Sequence, residues 1–426
     1  MAPDSCTPER TYLAIDLKSF YASVECADRG LDPFATDLVV ADPTRSPNTI
    51  CLAITPSLKA KGVRNRCRIR EIPQGIPYIT AMPRMHRYME VSAQVYAIYL
   101  RYVSSQDAWP YSVDEAFLDV TSYQALYGLD VRALARRVIT AVREETGVSA
   151  TAGIGPNMFL CKVALDLMAK HAADGIGQLD EKTFRRNVWF HHPITDIWGI
   201  GPGIARRLAQ ADVHDLAGIC ATDPTWLRGE FGRNAEWLID HAWGLEPCTI
   251  ADARNYVPKA RSLSNGQVLM RDYGFDEARI VLREMAWQSC LDLRRQMLAC
   301  DTVGLYVGYS GQAELLGHGG GQRSLGHQTA GEREVTGTLL ALYDQTVAHD
   351  LPIRRVCLWL GGVVPEAVVV PTLFDDPTVD AREVRLADAV TRARRRFGPN
   401  TVFSGTSLLP AANALERNLQ IGGHRA

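Results

Sequence analysis

Apolar and polar positions alternate between strand and helix spacing through the first part of the chain. Residues 12–15 form a continuous apolar run that predicts a strand, and Phe20, Val24 and Ala27 then recur at helical spacing. The same patterns predict further strands at 38–41, 50–55 and 148–154, and helices at 84–102, 131–146 and 157–170. Strands and helices mixed in this way predict an α+β domain.

The pattern changes after residue 183. Residues 184–246 are predicted to be wholly helical, and residues 247–262 are polar and predict an extended linker. Beyond the linker, strands are predicted at 264–270, 302–309 and 354–361, with helices at 275–297 and 332–349. Glycines at 318–322 predict a flexible hairpin loop. The chain is therefore predicted to be a multidomain α+β protein.

Two adjacent acids, Asp114 and Glu115, separate a run that ends at Val113 from an apolar run that includes Phe117. This pattern predicts a β-hairpin with both carboxylates at its turn. Two carboxylates held at one spot disfavour joint ionisation unless a cation neutralises them, and hard oxygen ligands suit Mg²⁺ or Mn²⁺. A divalent metal site is therefore predicted here.

A third acid, Asp16, lies at the carboxyl end of the first predicted strand. In enzymes built on a sheet, catalytic groups are often found at this end of a strand. If Asp16 converges with Asp114 and Glu115, three carboxylates could hold two metal ions about 4 Å apart. Such a pair of ions serves in-line phosphoryl and nucleotidyl transfer.

Composition narrows the class of protein. A length of 426 residues predicts several domains, and a net charge of −2 argues against indiscriminate coating of nucleic acid. Contacts with DNA would need local basic patches, such as residues 59–70 and 382–396. The ten cysteines include no Cys-x-x-Cys pair. Without a signal-like segment or long apolar run, a cytoplasmic protein with no membrane contact is expected.

A glycine-rich turn, Gly199-Ile-Gly-Pro-Gly203, lies between predicted helices and is followed by Arg206. Free backbone N–H groups at such a turn can bind a phosphate without reading sequence. A dinucleotide fingerprint is excluded because the third glycine comes too early and no strand precedes it. A helix-hairpin-helix contact with DNA is favoured, and a simple turn between helices is the alternative.

Several segments carry a resemblance to a known family: residues 16–25, 112–121, 151–162, 196–203 and 416–426. The first reads Asp-Leu-Lys-Ser-Phe-Tyr-Ala-Ser-Val-Glu and the second Ser-Val-Asp-Glu-Ala-Phe-Leu-Asp-Val-Thr. Both resemble the catalytic motifs of the Y-family, or UmuC/DinB-like, translesion DNA polymerases. The last segment resembles the UmuC-like branch of Gram-positive bacteria, and the resemblance spans nearly the whole chain.

The resemblance implies a right-hand polymerase with four domains. The regions it implies are a palm at 1–19 and 84–183, fingers at 20–83, a helical thumb with a helix-hairpin-helix at 184–246, a linker at 247–262, an α+β little finger at 263–364, and a C-terminal tail at 365–426.

The resemblance also assigns site residues. Asp16, Asp114 and Glu115, with the Leu17 carbonyl, would hold two Mg²⁺ ions, for which Mn²⁺ could substitute. Further residues are assigned to the incoming nucleotide: Phe20, Tyr21, Lys59 and either Lys162 or Lys170. Tyr21 matches the steric gate that excludes a 2′-hydroxyl, and its alternative is an ordinary core aromatic. Two positions depart from the family pattern, because Pro56 replaces a tyrosine and Lys18 replaces an acid.

The function implied is a template-directed, low-fidelity translesion DNA polymerase that acts on primer–template DNA and deoxynucleoside triphosphates as a monomer. Gly199, Gly201, Gly203 and Arg206 would contact DNA. Leu373 and Phe374 resemble the anchors of a peptide that binds a sliding clamp, although its usual Gln is absent. The alternatives are a palm-type nucleotidyl cyclase and a catalytically silent DNA-binding repair subunit.

Overall fold

The computed structural model describes residues 10–46, 48–258, 261–368 and 377–426, and in the last range it describes side chains from residue 381 onward. The chain divides into two compact units, Met1–Tyr256 and Val257–Ala426. Leu373 and Phe374 lie outside the described residues, so the clamp-binding prediction stays a prediction. Among the described residues, no helix combines the length and the apolar character needed to cross a membrane.

The first unit contains short strands and helices in alternation. Its strands are β1 (Tyr12–Leu17), β2 (Leu38–Val40), β3 (Ala53–Ile54), β4 (Ile79–Ala81), β5 (Ala108–Pro110), β6 (Glu115–Asp119), β7 (Ala150–Gly155) and β8 (Ile176–Gln178). Its helices are α1 (Phe20–Ala27), α2 (Pro56–Ala60), α3 (Met85–Tyr99), α4 (Tyr123–Tyr127), α5 (Val131–Thr146), α6 (Met158–Leu167), α7 (Glu181–Asn187), α8 (Pro202–Ala209), α9 (Leu216–Ala221), α10 (Pro224–Phe231), α11 (Asn234–Trp243) and α12 (Ile250–Asn255).

The central sheet of this unit has the strand order β5-β6-β1-β7-β8. β1 lies in its middle and is antiparallel to both β6 and β7. Because both faces of β1 are covered, its residues are apolar without alternation, and Leu13, Ala14 and Ile15 are fully buried. Helix α6 approaches β7 so closely that a Cβ on Gly153 would lie 2.0 Å from the Cys161 carbonyl oxygen. The sheet therefore gives the acid on β1 a rigid support.

Helix α5 shows how local signals set the bounds of an element. The Asp130 side chain accepts a hydrogen bond from the Ala133 N–H, and Gly147 ends the helix in a left-handed conformation. The prediction of a helix at 131–146 is confirmed.

Between α1 and α3, a small sheet of order β3-β2-β4 packs with α2, and β4 was not predicted.

The helical segment predicted at 184–246 is confirmed by α7 to α11. The prediction that residues 247–262 are wholly extended is wrong, because α12 forms at Ile250–Asn255. Thr249 caps this helix, accepting from the Asp252 N–H while the Asp252 side chain accepts from the Thr249 N–H. Arg254 then donates to the carbonyl oxygens of Ser105 and Ala108, which ties α12 to the loop before β5.

The second unit is built on a sheet of order β11-β10-β12-β9, with β13 paired to β10. Its strands are β9 (Leu263–Tyr273), β10 (Leu298–Tyr309), β11 (His318–Thr329), β12 (Ile353–Gly361), β13 (Val364–Pro365), β14 (Gln420–Ile421) and β15 (His424–Arg425). Its helices are α13 (Phe275–Arg295), α14 (Glu332–Thr346), α15 (Pro377–Phe397) and α16 (Ala414–Arg417). The core includes residues of the sheet and of both α13 and α14.

The prediction of a flexible loop at 318–322 is wrong, because these residues begin β11. A Cβ at Gly320 would lie 2.0 Å from the Leu305 carbonyl oxygen, so the glycine at this position permits β11 to approach β10 closely.

The residues after α15 pack on the same unit. There Glu284 of α13 accepts hydrogen bonds from the N–H groups of Asn413 and Ala414. The predicted α+β class is confirmed in both units.

Candidate active site

Asp16 and Tyr21 lie on either side of a strained turn. Asp16 is next to last in β1, and Tyr21 is the second residue of α1. Ser19 joins the two elements with a φ of 48°, in the left-handed region that is uncommon for residues other than glycine. The Ser23 hydroxyl donates to the Lys18 carbonyl oxygen at 2.6 Å, which closes the turn. The turn thus fixes the spacing between the acid and the ring.

The predicted hairpin holds Asp114 and Glu115 beside β1. Glu115 begins β6 and is paired in register with Asp16, and the Leu17 N–H donates to the Asp114 carbonyl oxygen at 2.9 Å. The first strand of the hairpin ends at Pro110, not at Val113 as predicted, because the N–H groups after Pro110 turn toward the Glu115 carbonyl oxygen. The acids therefore lie at the turn, as predicted.

Several side chains fix the shape of this turn. The Ser112 hydroxyl donates to Asp114 Oδ1 at 2.7 Å. The Ser92 hydroxyl on α3 donates to the Val113 carbonyl oxygen at 2.6 Å. These bonds hold the Asp114 side chain and the backbone at the residue before it. We call Asp16, Asp114 and Glu115 the acid centre.

The surroundings of Asp16 disfavour the charged form of its carboxyl group. Burial raises the pKa of Asp16 to about 6, and the charges of Asp114 and Glu115 add to the rise, against the opposing charges of Lys170 and Lys162. A carboxyl group in this position gains from any cation placed beside it. Its oxygen atoms are the ligands that Mg²⁺ and Mn²⁺ prefer.

Two lysines surround the acid centre in different ways. Lys162 on α6 is nearly buried, and its Nζ lies 2.8 Å from Glu115 Oε1 and 3.0 Å from Asp166 Oδ2. Lys170 is exposed, and its Nζ lies 2.8 Å from Asp166 Oδ1. Burial would lower the pKa of Lys162, but the carboxylates of Glu115 and Asp166 outweigh it and raise that pKa. Lys162 therefore serves as the internal partner of Glu115.

In the part of the chain that the structure describes, no group of three or more His, Cys, Asp or Glu side chains forms a ready metal centre. Glu115 pairs with Lys162, whereas no lysine among the described residues lies within ion-pair distance of Asp16 or Asp114. The fit to a divalent cation thus rests on the oxygen donors and on the raised pKa of Asp16. The two-ion site stays a prediction.

Lys59 lies in α2, whose first residue is Pro56. Desolvation lowers the pKa of Lys59, and the Asp16 carboxylate and the Lys170 ammonium act on it with opposite sign. The charge of Lys59 is therefore felt at the acid centre from helix α2. Pro56 at this helix start explains the departure from the family pattern structurally, since proline suits the first turn of a helix.

The ring of Tyr21 borders the acid centre. Tyr21 is half-buried, and burial followed by the charge of Asp114 raises its pKa. On its other side, the ring stacks on Tyr88 with centroids 4.5 Å apart. Phe20 is only 3% exposed and packs in the core, so the two neighbouring aromatics differ in accessibility. Tyr21 alone of the pair presents a side chain to the acid centre.

A second charged group behind Tyr21 was not found from the sequence. Glu25 of α1 is fully buried and accepts hydrogen bonds from Arg84 Nε and from the Tyr88 hydroxyl, each at 2.8 Å, and from Arg29. We call Glu25, Arg29, Arg84 and Tyr88 the Glu25 cluster. The spacing of four residues between Glu25, on α1, and Arg29, just after its end, was the local signal, because Arg84 and Tyr88 lie far along the chain.

The glycine turn before α8 has an open face. Gly199 has a φ of 90°, and a Cβ there would lie 2.4 Å from the Trp237 ring. Gly201 caps α8 and Gly203 lies in its first turn, and nothing lies within 4 Å of a Cβ at either position. Arg206 is exposed, whereas Arg207 pairs with Glu230. We call Gly199–Gly203 the glycine turn.

Comparisons with known proteins agree with this architecture. Residues 15–166 match the impB/mucB/samB family, and residues 260–373 match the C-terminal domain of the same family. The chain is 29% identical to a DNA polymerase IV 2 of Bacillus subtilis, over 98% of this chain and 99% of that protein. It is 27% identical to UvrX of the same organism, whose name gives it a role in UV-damage repair, over 98% of both chains.

A solved structure extends the agreement to the fold. A Y-family DNA polymerase chimera of Dbh and Dpo4 matches with a TM-score of 0.61 and 18% identity, covering 83% of this chain and 99% of that one. The chain belongs to the impB/mucB/samB family and has the fold of the Y-family DNA polymerases. The predicted family and enzyme class, a DNA-directed DNA polymerase, are thereby confirmed.

Proposed function

We propose that the chain is a template-directed DNA polymerase of the low-fidelity translesion type, which adds deoxynucleotides to a primer 3′-end in DNA repair and damage tolerance. The observation that carries the proposal is the acid centre, where Asp16 is paired in register with Glu115 and next to Asp114. An acid whose pKa burial raises to about 6 beside two further carboxylates is costly unless it binds a cation.

Asp16, Asp114 and Glu115, with the Leu17 carbonyl, are the proposed holders of two Mg²⁺ ions. Bound Mg²⁺ would lower the pKa of the primer 3′-hydroxyl and neutralise the triphosphate and the leaving pyrophosphate. Asp16 must lose its proton to act as a ligand, which its pKa of about 6 allows at neutral pH. Ser112 and Ser92 keep the hairpin carboxylates in place during the reaction. Mn²⁺ suits the same oxygen donors.

Lys170 and Lys59 are the proposed contacts of the triphosphate. Lys170 is exposed and is paired only on one side, with Asp166, whereas Lys162 is buried between Glu115 and Asp166. An ammonium that already has two carboxylate partners has less to offer an incoming anion. The sequence left open whether Lys162 or Lys170 contacts the triphosphate. We assign that contact to Lys170, and we assign to Lys162 the role of orienting Glu115.

Tyr21 is the proposed steric gate. Its ring stacks on Tyr88, and its hydroxyl feels the charge of Asp114, so we expect a sugar bound at the acid centre to rest against the ring. The stack on Tyr88 supports the ring on one face, and a 2′-hydroxyl on the other face would collide with it. Phe20, which packs in the core, would contribute to the nucleotide site through its backbone.

DNA and clamp contacts complete the proposal. The open face of the glycine turn, through Gly199, Gly201 and Gly203, offers backbone N–H groups to a phosphate, and the exposed Arg206 adds a charge. Leu373 and Phe374 are the proposed anchors for a sliding clamp. We propose that the enzyme acts as a monomer on primer–template DNA.

Primer extension by the purified chain tests this function. With Mg²⁺ and deoxynucleotides, extension is expected on undamaged and abasic templates, and Asp114→Ala should abolish it while primer–template binding persists. Asp119→Asn is the matched control, because Asp119 ends strand β6, which follows Asp114, but its carboxylate bonds to Arg10 and Thr121. Binding without extension by the wild type would instead support the catalytically silent repair subunit.

A further inference from the structure

Three aromatic rings join the acid hairpin to the glycine turn. Tyr111 meets Trp198 edge-to-face with centroids 5.9 Å apart, and Phe117 lies 5.6 Å from Tyr111 and 6.1 Å from Trp198. The Trp198 indole N–H also donates to the Tyr111 hydroxyl at 3.3 Å. We call Tyr111, Phe117 and Trp198 the aromatic bridge. Its rings come from two segments far apart in sequence, and the proposed metal and DNA contacts adjoin it at either end.

On the hairpin side, the bridge is tied to the acids by the backbone. The Tyr111 N–H donates to the Glu115 carbonyl oxygen at 2.9 Å. Phe117 follows Glu115 on β6 and is only 1% exposed. A displacement of either ring would therefore move the strand end that carries Glu115.

On the turn side, Trp198 immediately precedes Gly199. Its indole lies parallel to the His241 ring, 6.1 Å away, and His241 is held in turn by Glu246 at 2.8 Å. The ring of Trp237 packs so closely on Gly199 that a Cβ there would lie 2.4 Å from it, so α11 contacts the turn as well as Trp198. Trp198 is thus fixed by α11 on one side and by the hairpin on the other.

We propose that Trp198 and Tyr111 are positioning residues, which set the distance between the DNA backbone held at the glycine turn and the carboxylates of Asp114 and Glu115. This inference rests on the proposed function. The reason is geometric, because the primer terminus must reach a near-attack position and a misplacement of about 1 Å can cost about a hundredfold in rate. Tyr111 is 46% exposed, which makes a purely stabilising role for its hydroxyl a poor explanation of the contact.

The primary test compares Trp198→Leu with Trp226→Leu. Trp226 is the matched control, since it is also partly exposed and its recorded ring contact is with Phe231 on its own helix. In single-turnover assays with Mg²⁺, Trp198→Leu should lower the incorporation rate by about ten- to a hundredfold. Its affinity for primer–template and its melting temperature should stay close to those of Trp226→Leu. Equal rates for the two variants would overturn the inference.

A second measurement separates positioning from a general loss of structure. Primers with one neutral methylphosphonate at successive upstream positions should reveal, in the wild type, one position where the lost charge slows incorporation. In Trp198→Leu this sensitivity should weaken or move to another position, and Tyr111→Phe, which keeps the ring, should shift it less than Tyr111→Leu. An unchanged position in both Trp198→Leu and Tyr111→Leu would refute the bridge, whereas a wild type that extends no primer would refute the proposed function itself.

Discussion

The acid centre and the Glu25 cluster show two ways to place carboxylates in one small region of a protein. Burial would raise the pKa of Glu25, but hydrogen bonds from Arg84, Arg29 and Tyr88 outweigh it and lower that pKa. Asp16, on the preceding strand, receives no such hydrogen bonds from the residues that the structure describes, and burial raises its pKa to about 6. The first carboxylate is satisfied by the fold, and the second is left in need of a partner.

We interpret this difference as that between an acid that stabilises the fold, Glu25, and a proposed metal ligand, Asp16. Both residues belong to the same motif: Asp16 lies on β1, just before helix α1, and Glu25 lies on α1. Their positions along the chain therefore do not show which acid has which role. Their neighbours do. A carboxylate with charged donors on every side stabilises the fold, whereas one placed beside further carboxylates costs stability that a ligand can restore.

The largest effect is expected from Asp16→Asn. Loss of a carboxylate from the acid centre should reduce nucleotide incorporation by about a thousandfold, or ~4 kcal/mol of activation free energy. The melting temperature should not fall, because the substitution removes a charge that burial disfavours. Single-turnover incorporation and a thermal melt of the same preparation check both parts. If Asp16→Asn lost activity only because it unfolds, Asp16 would be an acid that stabilises the fold, as Glu25 is, and the comparison would fail.

Glu25→Gln should give the opposite result. Breaking a buried ion pair commonly costs about 3–5 kcal/mol, and we expect about 3 kcal/mol because Arg29 and Arg84 can turn toward solvent. Incorporation of deoxynucleotides per folded molecule should stay near the wild-type value. Urea denaturation, with activity measured well below the transition, tests this. If Glu25→Gln lost activity without losing stability, the cluster would belong to the reaction.

Tyr21 lies between the two regions, so Tyr21→Ala tests which of them it serves. As a gate, its removal should raise ribonucleotide relative to deoxyribonucleotide incorporation by about tenfold, the equivalent of relieving a collision of about 1–3 kcal/mol. Tyr96→Ala, on α3, is a control for the loss of a half-buried tyrosine. Steady-state incorporation of matched nucleotides gives the ratio. An unchanged ratio with a lower melting temperature would make Tyr21 a core residue.

A further expected effect is a pH dependence of stability. The folded state raises the pKa of Asp16 from 3.8 to about 6, so it holds this proton more tightly than the unfolded chain. The free energy of unfolding should therefore fall as the pH rises from about 4 to about 6 and then level off. In EDTA, the melting temperature of Asp16→Asn should exceed that of the wild type increasingly over this interval. A constant difference would contradict the raised pKa.

Sequence reasoning succeeded where the signal was local. The bounds of α5 follow from Asp130 and Gly147, which act on their immediate neighbours. The adjacent acids Asp114 and Glu115 predicted a hairpin turn, and in the structure that turn lies beside Asp16. These features depend on contacts that a short stretch of chain can make by itself.

Prediction failed where partners are distant in sequence. The Glu25 cluster needs Arg84 and Tyr88, and the aromatic bridge needs Tyr111 and Trp198, so neither can be read from one segment. Glycines near Gly320 indicated a loop by composition, yet they allow a strand to approach β10. The raised pKa of Asp16 also depends on burial, which no local pattern supplies.

The left-handed turn at Ser19 places the proposed metal ligand Asp16 and the proposed steric gate Tyr21 on one short segment of chain. Asp16 is fixed by the register of β1, while Tyr21 is oriented by the first turn of α1. One inserted residue between them would rotate the following helical positions by about 100° and swing the ring away from the acids. This segment should therefore tolerate substitutions far better than insertions or deletions, and a library that varies its length should yield folded proteins with no sugar discrimination.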